Sequence, residues 1–201
     1  MKTKVTLLNN MTIDELLKDI PDKFEHSTTT SHKFKRDVFE FFDKPEFKQS
    51  VCLEIGSNLG YSTRILSYLF KEVVGFNLES AKEAIEFNKH RTNVRYYTQD
   101  VYNTQMPLDY GDIFFIDAQH TYFAVIDDTI RSLKFKSTNG LKKYFIYDDI
   151  GGFPELKQAM DDLIKNEYIK IVKPIGYSPN ETFINRFPKL SAYEGYICVE
   201  V

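Results

Sequence analysis

The sequence predicts an α/β protein: a Rossmann-like, seven-stranded, mostly parallel sheet with helices on both faces. Three observations carry that expectation. Seven short apolar runs recur along the chain, and segments with helical periodicity fill most of the gaps between them. The runs are continuous rather than alternating, as in strands covered on both faces. The length, 201 residues, suits one domain that can bury a core without disulfide or metal staples.

The first fifty residues read as helical and accessory. Thr12 and Glu15 have the spacing of a capping box, and Pro21 ends the short helix they open. The polar stretch His26 to Ser31 reads as a loop. Phe34, Val38, Phe41 and Phe42 recur at helical spacing, and Pro45 is expected to close that helix. Then come the strands: Val51 to Ile55, Val73 to Phe76, Val94 to Tyr97, Ile113 to Ile116, Tyr144 to Tyr147, Tyr168 to Val172 and Tyr196 to Val199. Helices are expected at Ser62 to Phe70, Ser80 to His90, Tyr122 to Phe135 and Glu155 to Lys165. The stretch from Gly176 to Glu194 has no helical period, which allows the seventh strand to enter antiparallel. The expected division is a lid or accessory segment at 1–49 and a ligand-binding domain at 50–201.

Composition removes several classes. Lys and Arg number 26 against 29 Asp and Glu, a net charge of -3, which argues against a protein that coats nucleic acid. Cys52 and Cys198 are too few for a disulfide framework or a four-cysteine zinc site, and both sit in apolar runs as free thiols would in a reducing compartment. No apolar run reaches the roughly 18 residues that span a bilayer. The N-terminal MKTKVTLLNNMTIDELL lacks a signal peptide's apolar core. A cytoplasmic location is expected, with no membrane partner.

In a sheet of this kind the ligand lies beyond the carboxyl ends of the strands, where strand order reverses. After the first strand comes Glu54-Ile55-Gly56-Ser57-Asn58-Leu59-Gly60-Tyr61-Ser62. It lacks the third glycine of a dinucleotide site and the lysine of a phosphate loop. A plain glycine turn is the alternative reading, but a carboxylate at the end of a buried strand is costly without a partner. After the second strand, Asn77-Leu78-Glu79 falls about 20 residues past the glycine turn, where a ribose hydroxyl is usually held. Asn77 is the in-line candidate and Glu79 the next; a helix-cap role is equally open. After the third strand, Gln99-Asp100-Val101 offers Asp100 to an adenine amine, or as an ordinary turn residue.

The fourth and fifth strands end in Asp117-Ala118-Gln119-His120-Thr121-Tyr122 and Asp148-Asp149. Three carboxylates on one rim repel one another unless something positive intervenes. A hard divalent cation does so, and all-oxygen ligation by Asp117, Asp148 and Asp149 suits Mg²⁺, Mn²⁺ or Ca²⁺. The plainer reading has Asp149 capping the helix that begins near Phe153, with Asp148 solvated. His120 beside these carboxylates is a candidate general base. His26, His32 and His90 show no ligand spacing and read as surface residues.

From residue 50 to 200 the sequence resembles class I S-adenosyl-L-methionine-dependent methyltransferases. The likeness is strongest to the metal-dependent O-methyltransferases of the catechol and caffeoyl-CoA type and to a related bacterial and phage group with an Asp-x-x-His-x-Tyr motif, matched here by Asp117, His120 and Tyr122. The resemblance implies that Gly56 and Gly60 admit the methionine moiety, with Ser57, Asn58, Tyr61, Ser62, Leu78, Gln99, Val101 and Tyr122 around the cofactor. Glu54 would meet its ammonium through water or backbone. Asn77 stands where the family has Asp or Glu, and an amide lacks the charge-assisted strength of a carboxylate. Asp117, Asp148 and Asp149 match the metal positions.

The resulting expectation is methyl transfer from S-adenosyl-L-methionine to a small-molecule or sugar hydroxyl, with His120 and Asp117 catalytic and a divalent ion assisting. A glycan or other small acceptor is the expected partner, and a homodimer is allowed. The rival readings are a non-methylating cofactor- or nucleotide-binding protein and a nucleic-acid methyltransferase; the Asn/Asp-Pro-Pro-Tyr/Phe and Pro-Cys signatures of the latter are missing. Acceptor choice is expected in the N-terminal helices, the turn after Asp149 and Ile175 to Pro188, although an ordinary packed loop is the preferred reading of that last stretch.

Overall fold

A computed structural model describes residues 11–23, 25–176 and 193–201. The strands are β1 (Val51–Ile55), β2 (Glu72–Asn77), β3 (Val94–Thr98), β4 (Ile113–Ile116), β5 (Tyr144–Tyr147), β6 (Ile169–Ile175) and β7 (Gly195–Glu200). They form one sheet in the order β3-β2-β1-β4-β5-β7-β6. All neighbours are parallel except β7, which runs antiparallel to both β5 and β6. Strand order therefore reverses between β1 and β4, and the crevice of a doubly wound sheet opens at their carboxyl ends.

Register fixes what stands on that rim. Ile55 pairs with Phe76 on one side and Ile116 on the other, and Ile116 pairs with Tyr147. The residues that follow this row are Gly56, Asn77, Asp117 and Asp148. One continuous row of hydrogen bonds thus delivers four of the expected site positions to the same edge.

The pleat sorts the core into two layers. Leu53, Phe114 and Phe145 face α5 (Tyr122–Leu133) and α6 (Pro154–Lys165), packing on Val125, Leu156 and Met160. Cys52, Ile113 and Phe115 face the opposite layer, made by α1 (Ile13–Leu17), α2 (His32–Phe42) and α3 (Tyr61–Leu69). Leu16, Phe34 and Phe42 are fully buried there, each burial stabilising by about 1.5–3 kcal/mol. The two N-terminal helices are thus part of one layer of the sheet's core, together with α3. Thr12 and Glu15 cap each other at the start of α1, as their spacing predicts.

Several boundaries differ from expectation. Pro45 opens a 3₁₀ turn (Pro45–Phe47) after α2 has ended at Phe42. The helix after β2, α4, spans only Lys82–Phe87, shorter at both ends than the expected Ser80 to His90. β3 and β6 are edge strands with exposed residues along them, so their apolar runs do not signal burial on both faces. Among the described residues, no helix is long and apolar enough to cross a membrane.

Candidate functional site

A cavity of about 490 Å³ opens at the carboxyl edge of the sheet. Its walls come from the turns after β1, β2, β3, β4 and β5 and from the N-terminal loop, through Lys23, Ser27, Thr28 and Thr29.

The glycine turn forms the middle of the floor. Gly56 has φ of +99°, and a Cβ there would lie 2.0 Å from the Asp117 carbonyl oxygen. Glycine at this position is thus required by the neighbouring strand end before any ligand is considered. Gly60, at φ +79°, caps α3, and a Cβ on it would strike the Asn88 side chain at 2.6 Å. The turn's amides are already engaged. Gly56 and Ser57 donate to the Phe76 carbonyl, and Asn58 donates to Asn77 Oδ1. Asn77 Nδ2 returns a bond to the Asn58 carbonyl. Asn77 therefore lines the cavity with both polar ends of its side chain occupied, and it does not cap α4.

Glu79 also lines the cavity and is exposed. Leu78, 67% exposed, projects beside it. At the far end, Asp100 accepts from the amides of Tyr102 and Asn103 and from Asn103 Nδ2, capping its own turn. These bonds, the Asn103 side chain first, lower its pKa. Gln99 Nε2 is spent on Thr104 and Gln105. Val101 is buried against the cavity, and Tyr102 is held there by the Asp128 carboxylate at 2.9 Å.

Not every expected cofactor residue reaches the cavity. Glu54 is fully buried behind the turn, accepting a hydrogen bond from the Thr63 hydroxyl, with its Oε1 unpartnered among the described residues. Burial pushes its pKa up to about 7 against the opposing Thr63 bond. Ser57, Gly60, Tyr61 and Ser62 lie outside the lining; Tyr61 instead packs edge-on against Phe87. Tyr122 is also turned away. Its hydroxyl donates to Asp162 and its amide to Glu155, so it joins α5 to α6.

The acidic rim gathers titratable side chains of the cavity. His120 Nε2 lies 3.3 Å from Asp149 Oδ2 and 3.6 Å from Asp117 Oδ1, and its ring packs on Phe153 at 4.4 Å between centroids. Burial opposes the charged imidazole, but contact with Asp117 and the charge of Asp149 outweigh it and raise the His120 pKa. Burial raises that of Asp117, with His120 opposing. Asp149 adopts φ of +60°, a left-handed conformation that Asp tolerates better than most residues. It does not cap α6, whose cap residue is Phe153.

Sequence reasoning missed the cation at this rim. Lys23 Nζ lies 2.6 Å from Asp149 Oδ1, 2.9 Å from Glu194 Oε1 and 3.8 Å from Asp148 Oδ1. Glu194 also accepts from the amide and hydroxyl of Ser31. Asp148 is only 4% exposed, not solvated. Burial raises its pKa strongly, and Lys23 opposes that rise. Among the described residues the side chains grouped closely enough to hold a metal are Asp117, His120 and Asp149, each offering one ligand atom within 4.8 Å of the others, rather than the three aspartates expected. His32, expected at the surface, donates to the Ile20 carbonyl and pins α2 to the end of α1. Of the stretch Ile175 to Pro188, weighed above for acceptor choice, the polar and aromatic residues Tyr177, Asn180, Phe183, Asn185, Arg186 and Phe187 lie outside the described residues.

No family model matches the sequence, and no curated protein is detectably similar to it. Solved structures are similar in fold. The tRNA (m1A58) methyltransferase TrmI from Aquifex aeolicus superposes with a TM-score of 0.63 at 15% identity, over 96% of this chain and 77% of that one. A SAM-dependent methyltransferase from the same organism gives 0.59 at 14% identity, over 96% of this chain and 100% of that one. The N-methyltransferase NodS from Bradyrhizobium japonicum, solved with S-adenosyl-L-homocysteine, gives 0.57 at 13% identity, over 91% of this chain and 88% of that one. The chain has the Rossmann-like fold of class I methyltransferases.

Proposed function

We propose that the protein transfers a methyl group from S-adenosylmethionine to a hydroxyl of a small-molecule or sugar acceptor. One observation carries the reading. A single cavity joins the glycine turn, the polar end of β2 and the Asp117–His120 rim, so a donor and an acceptor can share one compartment. When bound, S-adenosylmethionine supplies a methyl group on a positively charged sulfonium.

The chain's residues fit that donor in parts. Glu54 offers an unpartnered buried oxygen behind the turn, suited to the methionine ammonium through water. Glu79 offers an exposed carboxylate to ribose hydroxyls, and Leu78 and Val101 offer apolar surface to an adenine. A carboxylate forms the stronger, charge-assisted bond to a hydroxyl, so Glu79 takes the role that Asn77 has given to the turn.

At the other end of the cavity, His120 takes the acceptor's proton. Its Nε2 is buried against two carboxylates. They favour the tautomer protonated there and leave Nδ1 as the base. Holding both reactants in one compartment supplies part of the rate through orientation. Methyl-labelled cofactor should label a small-molecule or glycan fraction of a lysate, and calorimetry should detect S-adenosylhomocysteine binding. Absence of any binding would overturn the donor; label confined to RNA would overturn the acceptor.

A further inference from the structure

The predicted three-aspartate set does not fit a resident hard cation. Such ions need carboxylate oxygens free to coordinate, with water completing the shell. Here Asp149 Oδ1 is held by the Lys23 ammonium at 2.6 Å, and Asp148 faces the same ammonium at 3.8 Å. The group that remains, Asp117, His120 and Asp149, substitutes an imidazole for an oxygen and shares Asp149 with Lys23.

We propose that Lys23 is a built-in replacement for a divalent ion: its ammonium occupies the cation position of the acidic rim and orders Asp149 for the site. The geometry supports this from three sides. Lys23 is 7% exposed and still lines the cavity. Its three carboxylate neighbours come from two separate parts of the chain: Asp148 and Asp149 follow β5, and Glu194 precedes β7. Glu194 is itself oriented by Ser31, so the loop that carries Lys23 is bonded to the rim at both ends. Removing one partner of such a buried group leaves uncompensated charge, a strongly unfavourable state that another cation can relieve.

Lys23 is a positioning residue, acting on the acceptor end through Asp149, which touches His120. The inference concerns the same cavity as the proposed methyl transfer, but its test reads ion binding and stands apart from that activity.

Mn²⁺ titrated into the purified chain, followed by electron paramagnetic resonance, distinguishes the cases. The unaltered protein should take up no stoichiometric Mn²⁺. Lys23→Met should gain one site, binding at least about tenfold tighter than any site of the parent, whereas Lys23→Arg should gain none. If Lys23→Met does not fold, Lys23→Met combined with Glu194→Gln removes one unpaired charge and is titrated in its place. One Mn²⁺ bound per chain at micromolar affinity in the unaltered protein would overturn the proposal. So would a folded Lys23→Met or double variant with no gain.

Discussion

The side chain of Asn77 pairs with the backbone of Asn58 in both directions: Oδ1 accepts from the Asn58 amide at 2.8 Å and Nδ2 donates to the Asn58 carbonyl at 3.2 Å. An amide can do this because it carries a donor and an acceptor side by side; a carboxylate carries only acceptors. Asn58 needs the support, since it holds φ of +45° in the turn. The departure from the acidic residue of the resembled family thus has a local cause.

Asn77→Asp should therefore destabilise the protein. The new carboxylate would face the Asn58 carbonyl, at a cost of about 1–3 kcal/mol. Thermal melting should fall by a few degrees, at roughly 2–4 °C per kcal/mol for a chain of this size. An unchanged melting temperature with tighter cofactor binding would instead make Asn77 a plain ribose ligand.

Glu79→Gln should act in the opposite way. The side chain is exposed, so the melting temperature should stay put. Calorimetry should show S-adenosylhomocysteine bound about tenfold more weakly, from the loss of a charge-assisted bond. Equal affinity in the two proteins would remove Glu79 from the ribose site.

His120→Ala should lower kcat by about 10²- to 10⁴-fold with cofactor affinity unchanged, the usual span for a lost general base. The base must be neutral, so kcat should rise with pH. Because contact with Asp117 and Asp149 raises the His120 pKa, the rise should lie above the ordinary imidazole range. Asp117→Asn removes one of those charges and should move the rise to lower pH. A pH–rate profile of the two proteins checks the direction.

Asp128 gives a stability test away from the rim. Burial pushes its pKa up to about 7, with the Tyr102 and Arg131 contacts opposing. A carboxyl whose folded pKa is raised favours the fold at low pH. That contribution is complete below the unfolded value near 4 and is lost as pH climbs through about 7. Asp128→Asn keeps an acceptor for the Tyr102 hydroxyl and cannot ionise. Its melting temperature relative to the parent should rise between pH 4 and pH 8. A constant difference across that range would place the shift elsewhere.

Much of the sheet was readable because burial and β-propensity coincide in runs such as Val51 to Ile55 and Ile113 to Ile116. The strand ends then pointed to Asn77, Asp117 and His120 at the cavity. The edge strands misled: Val94 to Tyr97 and Tyr168 to Val172 are apolar enough to pair, yet partly face solvent. Lys23 and Glu194 were not readable. Their partners are remote in the chain: Lys23 meets Asp149 and Glu194, and Glu194, which also accepts from Ser31, lies 171 residues from Lys23. A lone Lys in a loop carries no local mark that distinguishes it from a solvated one. Tyr122 failed for a related reason: the motif fixes its place in the chain, but Asp162 on the next helix decides which way it points.

The insertion of β7 between β5 and β6 has a consequence for biosynthesis. Among the described strands, β6 has β7 as its sole neighbour. A ribosome makes Ile169–Ile175 before Gly195–Glu200, so β6 emerges with nothing in the sheet to pair with, while β5 keeps one side bare. Both wait for a segment synthesised later, and Lys23 waits longer still for Glu194. Until then the nascent chain displays two unsatisfied strand edges and a cation without the last of its counter-charges. Such species attract chaperones or one another. The stretch that closes the sheet is also the stretch that ends this exposure.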